Sequence, residues 1–194
     1  MTLEMNIFIL DNDPIVAAQQ QCDKHVVKMI VESAQMLSTA HRMLDGTLET
    51  RPSKSGKRMV KYYRHPDENL ENTLYKAVHY HHPCTVWTMK IDNNYMWHYD
   101  HFLALCKEYT YRYGKIHKTE PLLTEILRST PKNIKSGYKY MLSEFALAMQ
   151  HEPQCMHPGN PVKSYREYYK TKQDRFKMSW TKRECPDWFT AVAS

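Results

Sequence analysis

His25, Lys28 and Glu32 are the residues whose types and spacing favour acid–base chemistry. They recur at intervals of three and four residues, so an α-helix would carry all of them on one face. Histidine titrates near neutral pH, and a neighbouring carboxylate can orient its ring. A lysine in a partly apolar cleft has a lowered pKa and can act as an amine nucleophile, and Lys24 and Lys28 are both suitably placed. The alternative is a solvated face on which Lys28 and Glu32 form an ordinary ion pair.

The helix that must position these groups is predicted from Cys22 to Leu44, with Gly46 ending it. Its apolar face comprises Val26, Ile30, Ala34, Leu37, His41 and Leu44. Further apolar residues widen that face beyond roughly half of the circumference, which is typical of a buried helix. The polar residues occupy the remaining arc: His25, Lys28, Glu32, Gln35, Thr39 and Arg42. We therefore predict a buried helix whose polar arc either is solvated or lines a cleft.

The rest of the pattern predicts a mainly α protein with one small β-hairpin. Asp13 before Pro14 is a helix-start signal. The other predicted elements are a short N-terminal strand over 5–10, a hairpin over 47–62, and helices over 69–80, 84–91, 92–114, 117–129, 142–149 and 163–176. We expect a single compact helical domain over residues 1–194, with 163–194 as an aromatic and basic closing segment.

The composition favours an intracellular protein with a polyanionic partner. The 194 residues carry a formal net charge of +6, which suits nucleic acid, and we expect DNA. Five scattered cysteines without a CxxC pair predict a reduced protein without a disulfide framework. Neither a signal-peptide pattern nor a long apolar run is present, so no membrane partner is expected. The sequence leaves the oligomeric state open.

Two further regions are candidates for nucleic-acid contacts. The densest positive stretch comprises Lys54, Lys57, Arg58, Lys61 and Arg64. It would contact phosphates, unless it is only a mobile solvated loop. Near the C-terminus, rings and cations alternate at Tyr165, Arg166, Tyr169, Lys172, Trp180 and Arg183. That mixture suits base stacking, and it equally suits a segment that packs its rings on the core while its cations reach solvent. Gln35 and Arg42 of the polar arc complete the predicted nucleic-acid set.

No motif predicts a metal or a cofactor. The eleven histidines include a pair at His98 and His101 and a cluster over 79–82, but a metal site needs several converging ligands. The sequence lacks HExxH, paired CxxC and the zinc-deaminase pattern. It also lacks the Gly-rich phosphate loops and the GxSxG elbow. We therefore expect neither a metal site nor a cofactor.

Four segments carry a resemblance to an uncharacterised family of tailed-phage proteins. They are NIFILDNDP, CDKHVVKMIVESAQMLSTAHR, EYTYRYGKIH and YREYYK, and the resemblance covers nearly the whole chain. It implies a protein of the cytoplasm of an infected bacterial host. The family's usual start resembles the MNIF at Met5, so residues 1–4 would be an extension.

The order of the motifs also resembles the pyrimidine-dimer DNA glycosylases. That family implies a flipped nucleotide, an N-terminal amine that attacks the sugar C1′, and a glutamate on the first long helix. Lys24 and Lys28 match the basic positions of that helix, but His25 stands where the family has its glutamate, with Glu32 two turns later. Thr2 would supply the amine after removal of Met1, whereas a start at Met5 would remove Thr2.

The leading hypothesis is a phage enzyme that acts on a DNA base or its glycosidic bond, as a glycosylase or lyase does. His25, Lys24, Lys28 and Glu32 would line its pocket. A group transferase that hypermodifies a base is one alternative. A non-catalytic nucleic-acid binding protein and a protein that binds a host factor are the others, because basic and aromatic residues alone suffice for binding.

Overall fold

The computed structural model describes residues 5–190, and the fold is compact and mainly α-helical, as predicted. Its helices are α1 (Pro14–Gln19), α2 (Asp23–Asp45), α3 (Glu68–Thr73), α4 (Pro83–Lys90), α5 (Asp92–Tyr113), α6 (Thr119–Leu127), α7 (Pro161–Lys170) and α8 (Asp187–Thr190). The strands are β1 (Thr47–Pro52) and β2 (Met59–Arg64), and short 3₁₀ turns span Pro153–Cys155 and Thr171–Asp174.

Local signals account for where the main helices begin and end. Asp13 caps α1, because its side chain accepts hydrogen bonds from the amides of Ile15 and Val16. Gly114 ends α5 in the left-handed conformation, with φ of 63°, which a glycine adopts without strain. Helix α2 packs against α4, α5 and α6, and α1 packs against α5. The long helices α2 and α5 therefore form the centre of the molecule, and the shorter elements surround them.

The predicted hairpin is confirmed. Strands β1 and β2 pair in antiparallel register, with Thr47 opposite Arg64 and Pro52 opposite Met59. The turn between them contains Gly56 in the left-handed region, at φ of 69°. Both strands alternate between exposed and half-buried residues, so the hairpin lies on the surface with one face towards the helices.

The predicted N-terminal strand is wrong. Residues 5–10 are buried but form no strand, and Phe8 lies in the left-handed region at φ of 57°. The side-chain oxygen of Asn6 accepts the amides of Ile7 and Phe8 at 2.8 and 3.1 Å, so these amides need no neighbouring strand. The apolar run is therefore a buried irregular segment.

The helix predicted over 69–80 ends early, at Thr73. The guanidinium of Arg42 donates hydrogen bonds to the carbonyls of Leu74 and Tyr75, at 3.0 and 2.7 Å. The hydroxyl of Thr39 accepts the amide of Val78 at 3.1 Å. Because side chains of α2 satisfy these backbone groups, the chain runs extended along α2 instead of continuing as a helix.

The helix predicted over 142–149 is absent, since that stretch is irregular. The side chain of Asn94 accepts a hydrogen bond from the backbone amide of Ser143 and donates one to its hydroxyl. The hydroxyl of Tyr165 donates to the carbonyl of Ala146 and accepts the amide of Ala148. The last long helix starts at Pro161 and becomes a 3₁₀ turn after Lys170, so it is shorter than predicted.

The buried apolar residues form one cluster that includes the N-terminal segment, α2, α4, α5, α6 and α7. Over residues 5–190, no helix combines the length and the apolar character that crossing a membrane requires.

Candidate active site

The polar arc of α2 is not a solvated face. His25, Glu32 and Arg42 are only 6, 5 and 1% exposed, and Thr39 is fully buried. The alternative of a solvated face is therefore contradicted, although the Lys28–Glu32 ion pair that it included is present, at 3.0 Å. The arc divides into an aromatic part at His25, an open cleft at Lys28, Glu32 and Gln35, and a fully buried part at Arg42.

The cleft has a volume of about 440 Å³, within the range of small-ligand sites. Lys28, Glu32 and Gln35 supply one polar wall from α2. Two histidines also line the cleft: His79, from the chain that crosses over α2, and His117, from the loop before α6. The remaining wall is apolar and comprises Met5, Val27, Val31 and Val78. A site with a few polar groups on an apolar wall is the usual form of a ligand-binding cleft.

Glu32 is the central polar group of the cleft. Its Oε1 lies 3.0 Å from Lys28 Nζ, and its Oε2 accepts the backbone amide of Asn6 at 3.2 Å. Burial raises the pKa of Glu32, although Lys28, the Asn6 amide and the charge of His79 act in the opposite direction. A buried carboxylate of raised pKa that faces a cleft is a candidate general acid or base.

Two histidines line the same cleft as Glu32. His79 is exposed and lies in the left-handed region, at φ of 48°, which is uncommon for a residue other than glycine. His117 packs edge-on against Tyr109, and its Nδ1 accepts the amide of Thr119 at 3.2 Å. Burial lowers the pKa of His117, and the nearby Glu120 opposes that shift. When the ring is neutral, its proton therefore lies on Nε2.

His25 and Lys24 do not line this cleft. The ring of His25 stacks on Phe8 with centroids 4.8 Å apart, and its Nδ1 lies 2.7 Å from the hydroxyl of Tyr169. The ammonium of Lys24 lies over the ring of Phe176, 4.4 Å from its centroid. Of the predicted catalytic residues, the structure brings together only Lys28 and Glu32 in the cleft. Thr2, the predicted amine, lies outside the described residues.

Arg42, predicted to contact nucleic acid, is instead a buried hydrogen-bonding centre. Its guanidinium donates to the backbone carbonyls of Tyr63, Glu71, Leu74 and Tyr75. It also forms an ion pair with the carboxylate of Glu71. A side chain that is 1% exposed cannot reach a phosphate, so the prediction for Arg42 is corrected. Its role is to join the base of the hairpin and the chain after α3 to α2.

The positive stretch of the hairpin is exposed. All five of its predicted phosphate contacts are exposed: Lys54, Lys57, Arg58, Lys61 and Arg64. The first three lie at the tip, in the turn between β1 and β2, and the other two lie on β2. Their ammonium and guanidinium groups therefore remain available to a polyanion.

The C-terminal rings pack inwards. Tyr165 and Tyr169 are fully buried, and Trp180 donates its indole N–H to the carbonyl of Gln20 at 2.8 Å. Stacking of bases on the two tyrosines is therefore excluded by burial. Of the two readings of the segment 163–194, these rings support the closing segment that packs on the core.

The C-terminal cations are also held by the protein. Arg166 Nε donates to a backbone carbonyl of the N-terminal segment at 2.8 Å, and Lys172, 3% exposed, lies over the ring of Tyr168. Arg183 donates two hydrogen bonds to the carboxylate of Glu108, both at 2.9 Å. The prediction that Lys172, Tyr165 and Tyr169 contact nucleic acid is therefore wrong. All three side chains are buried and pack within the protein.

The histidines that suggested a metal by spacing do not converge. His98 is fully buried, and its Nδ1 lies 2.8 Å from the hydroxyl of Thr88. His101 lies between the side chain of Gln21 and the carbonyl of Pro14, at 3.2 and 2.9 Å. Both rings are therefore buried core residues that form hydrogen bonds within the protein. The functional residues that sequence reasoning missed are His79 and His117, because no local pattern brings either of them to α2.

No protein-family model, curated protein or solved structure matches the chain.

Proposed function

We propose that this protein is an enzyme that acts on a base of nucleic acid, most simply DNA, or on its glycosidic bond, with the Glu32 cleft as its active site. The observation that carries the proposal is the environment of Glu32: a carboxylate that is 5% exposed, faces an open cleft and contacts the ammonium of Lys28. Burial raises the pKa of this group, so it holds a proton more readily than an exposed carboxyl does and is a candidate for proton exchange with a substrate. The phage resemblance implies that such an activity would operate in the cytoplasm of an infected bacterium.

The cleft could supply an amine in two ways. Lys28 Nζ is one source, since it lies at the wall of the cleft. The other is an α-amine: Met5 lines the cleft, and the amide that follows it contacts Glu32. A chain starting at Met5, as the phage resemblance implies, would bring its α-amine beside that carboxylate.

The reaction would follow the order that the glycosylase resemblance implies. The neutral amine attacks the sugar C1′, and the base leaves with the electrons of the glycosidic bond and takes up a proton. Glu32 accepts the proton that the attacking amine loses. The nitrogen lone pair then forms a protonated imine with C1′ as the C1′–O4′ bond breaks, and Glu32 returns its proton to O4′. His79 and His117 also line the cleft, and we assign to either ring the protonation of the departing base.

The exposed cations of the hairpin suit the phosphate backbone of the substrate. Lys54, Lys57 and Arg58 project from its tip. The net charge of +6 adds a general attraction for a polyanion. Sequence-independent contacts of this kind position a strand, and the cleft would then select the base.

Borohydride trapping tests the proposal, because it reduces an imine to a stable covalent bond. Ultraviolet-irradiated duplex and a duplex with an abasic site are incubated with the full chain and with a chain starting at Met5. We expect a borohydride-dependent covalent complex for at least one chain, and its loss in Glu32→Gln. No trapped complex, together with unchanged abasic, irradiated and phage-modified DNA, would overturn the proposal and leave a non-catalytic binding protein.

A further inference from the structure

A second cluster of titratable side chains lies at the C-terminal end of α2, in the part that the Glu32 cleft does not use. It comprises His41 and Asp45 of α2 and His65 of the turn that follows β2. The two histidines are each 2% exposed, and the side chain of Asp45 is 4% exposed. One nitrogen of each imidazole and one carboxylate oxygen lie within 4.8 Å of one another.

Two ring nitrogens at this cluster are buried without a hydrogen-bond partner, namely His41 Nδ1 and His65 Nε2. The separation between His65 Nε2 and Asp45 Oδ2 is 3.8 Å, which is too long for a hydrogen bond. Buried polar groups are nearly always satisfied, so two unpaired ring nitrogens beside one carboxylate mark this cluster as a candidate ligand site.

The hydrogen-bond network fixes the state of His41. Tyr95 donates its hydroxyl proton to the carbonyl of Leu127 at 2.9 Å, so its oxygen must accept from His41 Nε2, which lies 2.9 Å away. His41 Nδ1 therefore presents a lone pair to the cluster. An imidazole whose second nitrogen donates to a fixed acceptor is the usual arrangement of a metal-binding histidine.

Asp45 is also held in place. The backbone amides of Lys132 and Asn133 donate to its two oxygens, at 2.8 and 2.9 Å. The side-chain amide of Asn133 also donates to Oδ1, at 3.0 Å. These contacts orient the carboxylate and leave Oδ2 with a second lone pair. A lone pair of His41 and a negative charge thus face the same buried point, which a cation would stabilise.

We propose that His41 Nδ1, Asp45 and His65 Nε2 bind a divalent transition-metal ion, with Zn²⁺ the best match to two imidazoles and a carboxylate. Because the three atoms lie within 4.8 Å of one another, some point lies within about 2.8 Å of each of them, against Zn–N bonds of about 2.0–2.1 Å. Shifts of under about 1 Å per side chain would complete the coordination. Water would fill the remaining position.

Binding requires one local change at His65. Its Nδ1 accepts the amide of Asp67 at 3.1 Å, so the neutral ring carries its proton on Nε2. Coordination moves that proton to Nδ1 and releases the Asp67 amide, which can turn to solvent because Asp67 is exposed. The ion would then join α2, the end of the hairpin and the loop before Lys132. This is a structural role that is independent of the proposed enzymatic function.

Metal titration of tag-free protein tests the site, because a polyhistidine tag would bind the same ions. Apo protein is titrated with Co²⁺, whose visible absorption reports nitrogen and oxygen ligands, and with Zn²⁺ in a thermal-unfolding assay. We expect one ion per chain, an upward shift of Tm with Zn²⁺, and faster hydrogen exchange of the Asp67 amide. His65→Gln should weaken binding by about a hundredfold or more, since even outer contacts of a metal site are worth about 10–100-fold.

His81→Gln is the matched control, because His81 is exposed and lies outside the cluster. It should bind the ion as the wild type does. Failure of the wild-type chain to bind one Co²⁺ or Zn²⁺ would overturn the proposal and indicate a buried water instead, whatever the variants do. Equal affinity in wild type and a folded His65→Gln would overturn it as well.

Discussion

The backbone amide of Asn6 lies 3.2 Å from Oε2 of Glu32, and this hydrogen bond joins the buried N-terminal segment to the candidate active site. The other oxygen of Glu32 contacts Lys28 Nζ at 3.0 Å. One carboxylate therefore fixes both possible sources of an amine, the lysine and the start of the segment, at the same wall of the cleft.

Replacing Lys28 should raise the pKa of Glu32 further. Lys28 lowers that pKa through its hydrogen bond and its charge, while burial raises it. In Lys28→Met only the opposing contacts of the Asn6 amide and His79 remain, so the carboxyl should titrate at higher pH than in the wild type. Carbon-13 NMR of the glutamate carboxyls measures the shift. Lys24→Met, whose ammonium lies over Phe176, is the control and should leave Glu32 unchanged; an equal or lower pKa in Lys28→Met would contradict the account.

Arg42→Met should destabilise the protein by about 3–5 kcal/mol. The substitution removes a buried guanidinium, deprives the Glu71 carboxylate of its ion-pair partner and leaves several carbonyls without a donor. Urea unfolding measures the change. Arg128→Met is the matched control, because the Arg128 side chain is 66% exposed and its partners are an exposed glutamate and the hydroxyl of Tyr99. It should change the stability by under about 0.5 kcal/mol. Similar losses in both variants would show that Arg42 is not a structural centre.

Stability should fall as the pH drops below about 6.5, because two buried histidines are neutral in the folded protein. Burial lowers the pKa of His101 to about 4 and that of His98 well below 6.5. Both rings take up protons more readily in the unfolded chain than in the folded protein. Their contribution to the free energy of unfolding is therefore complete above pH 6.5 and is lost as the pH falls towards 4. Two such protons give a slope of up to about 2.7 kcal/mol per pH unit.

Urea unfolding between about pH 7 and pH 5 measures that slope. His81→Gln should retain it, since His81 is exposed and its ring is solvated in both states. A free energy of unfolding that is constant or increases over this range would contradict the neutral state of the two buried rings.

The hairpin tip should contribute affinity for nucleic acid without affecting the fold. Lys54→Ala with Lys57→Ala removes two exposed ammonium groups. Affinity for duplex DNA should fall, and the slope of log K against log salt should decrease by up to about 2, or about 1 for each lost phosphate contact. Lys90→Ala with Lys163→Ala carries the same charge change at exposed sites elsewhere, and it should leave the slope nearly unchanged. Equal effects of the two pairs would show that the hairpin is an ordinary solvated loop.

The sequence predicts those parts of the fold that local patterns determine. Periodicity defined α2 and α5, the signal at Asp13 and Pro14 defined the start of α1, and the turn-rich stretch after Gly46 defined the hairpin. Periodicity also separated the polar arc of α2 from its apolar face, which is why Glu32 was found among the candidates.

Local patterns fail where a distant side chain satisfies the backbone. Helix α3 ends where Arg42 donates hydrogen bonds to the carbonyls of Leu74 and Tyr75. Asn94 similarly holds Ser143 in an irregular segment. The same limit applies to the sites: His79 and His117 reach the Glu32 cleft, and His65 reaches His41, only through the tertiary fold.

The most direct test of the central claim is a comparison of Glu32→Gln with the wild type in single-turnover base release, with affinity for the same DNA measured in parallel. Glutamine keeps the shape of the side chain but cannot exchange a proton. We predict that the rate falls by about 10²–10⁴-fold while the affinity stays within about threefold, since general acid–base catalysis contributes that much to the rate and little to binding. A Glu32→Gln protein that releases base at the wild-type rate would contradict the claim that this cleft is the active site.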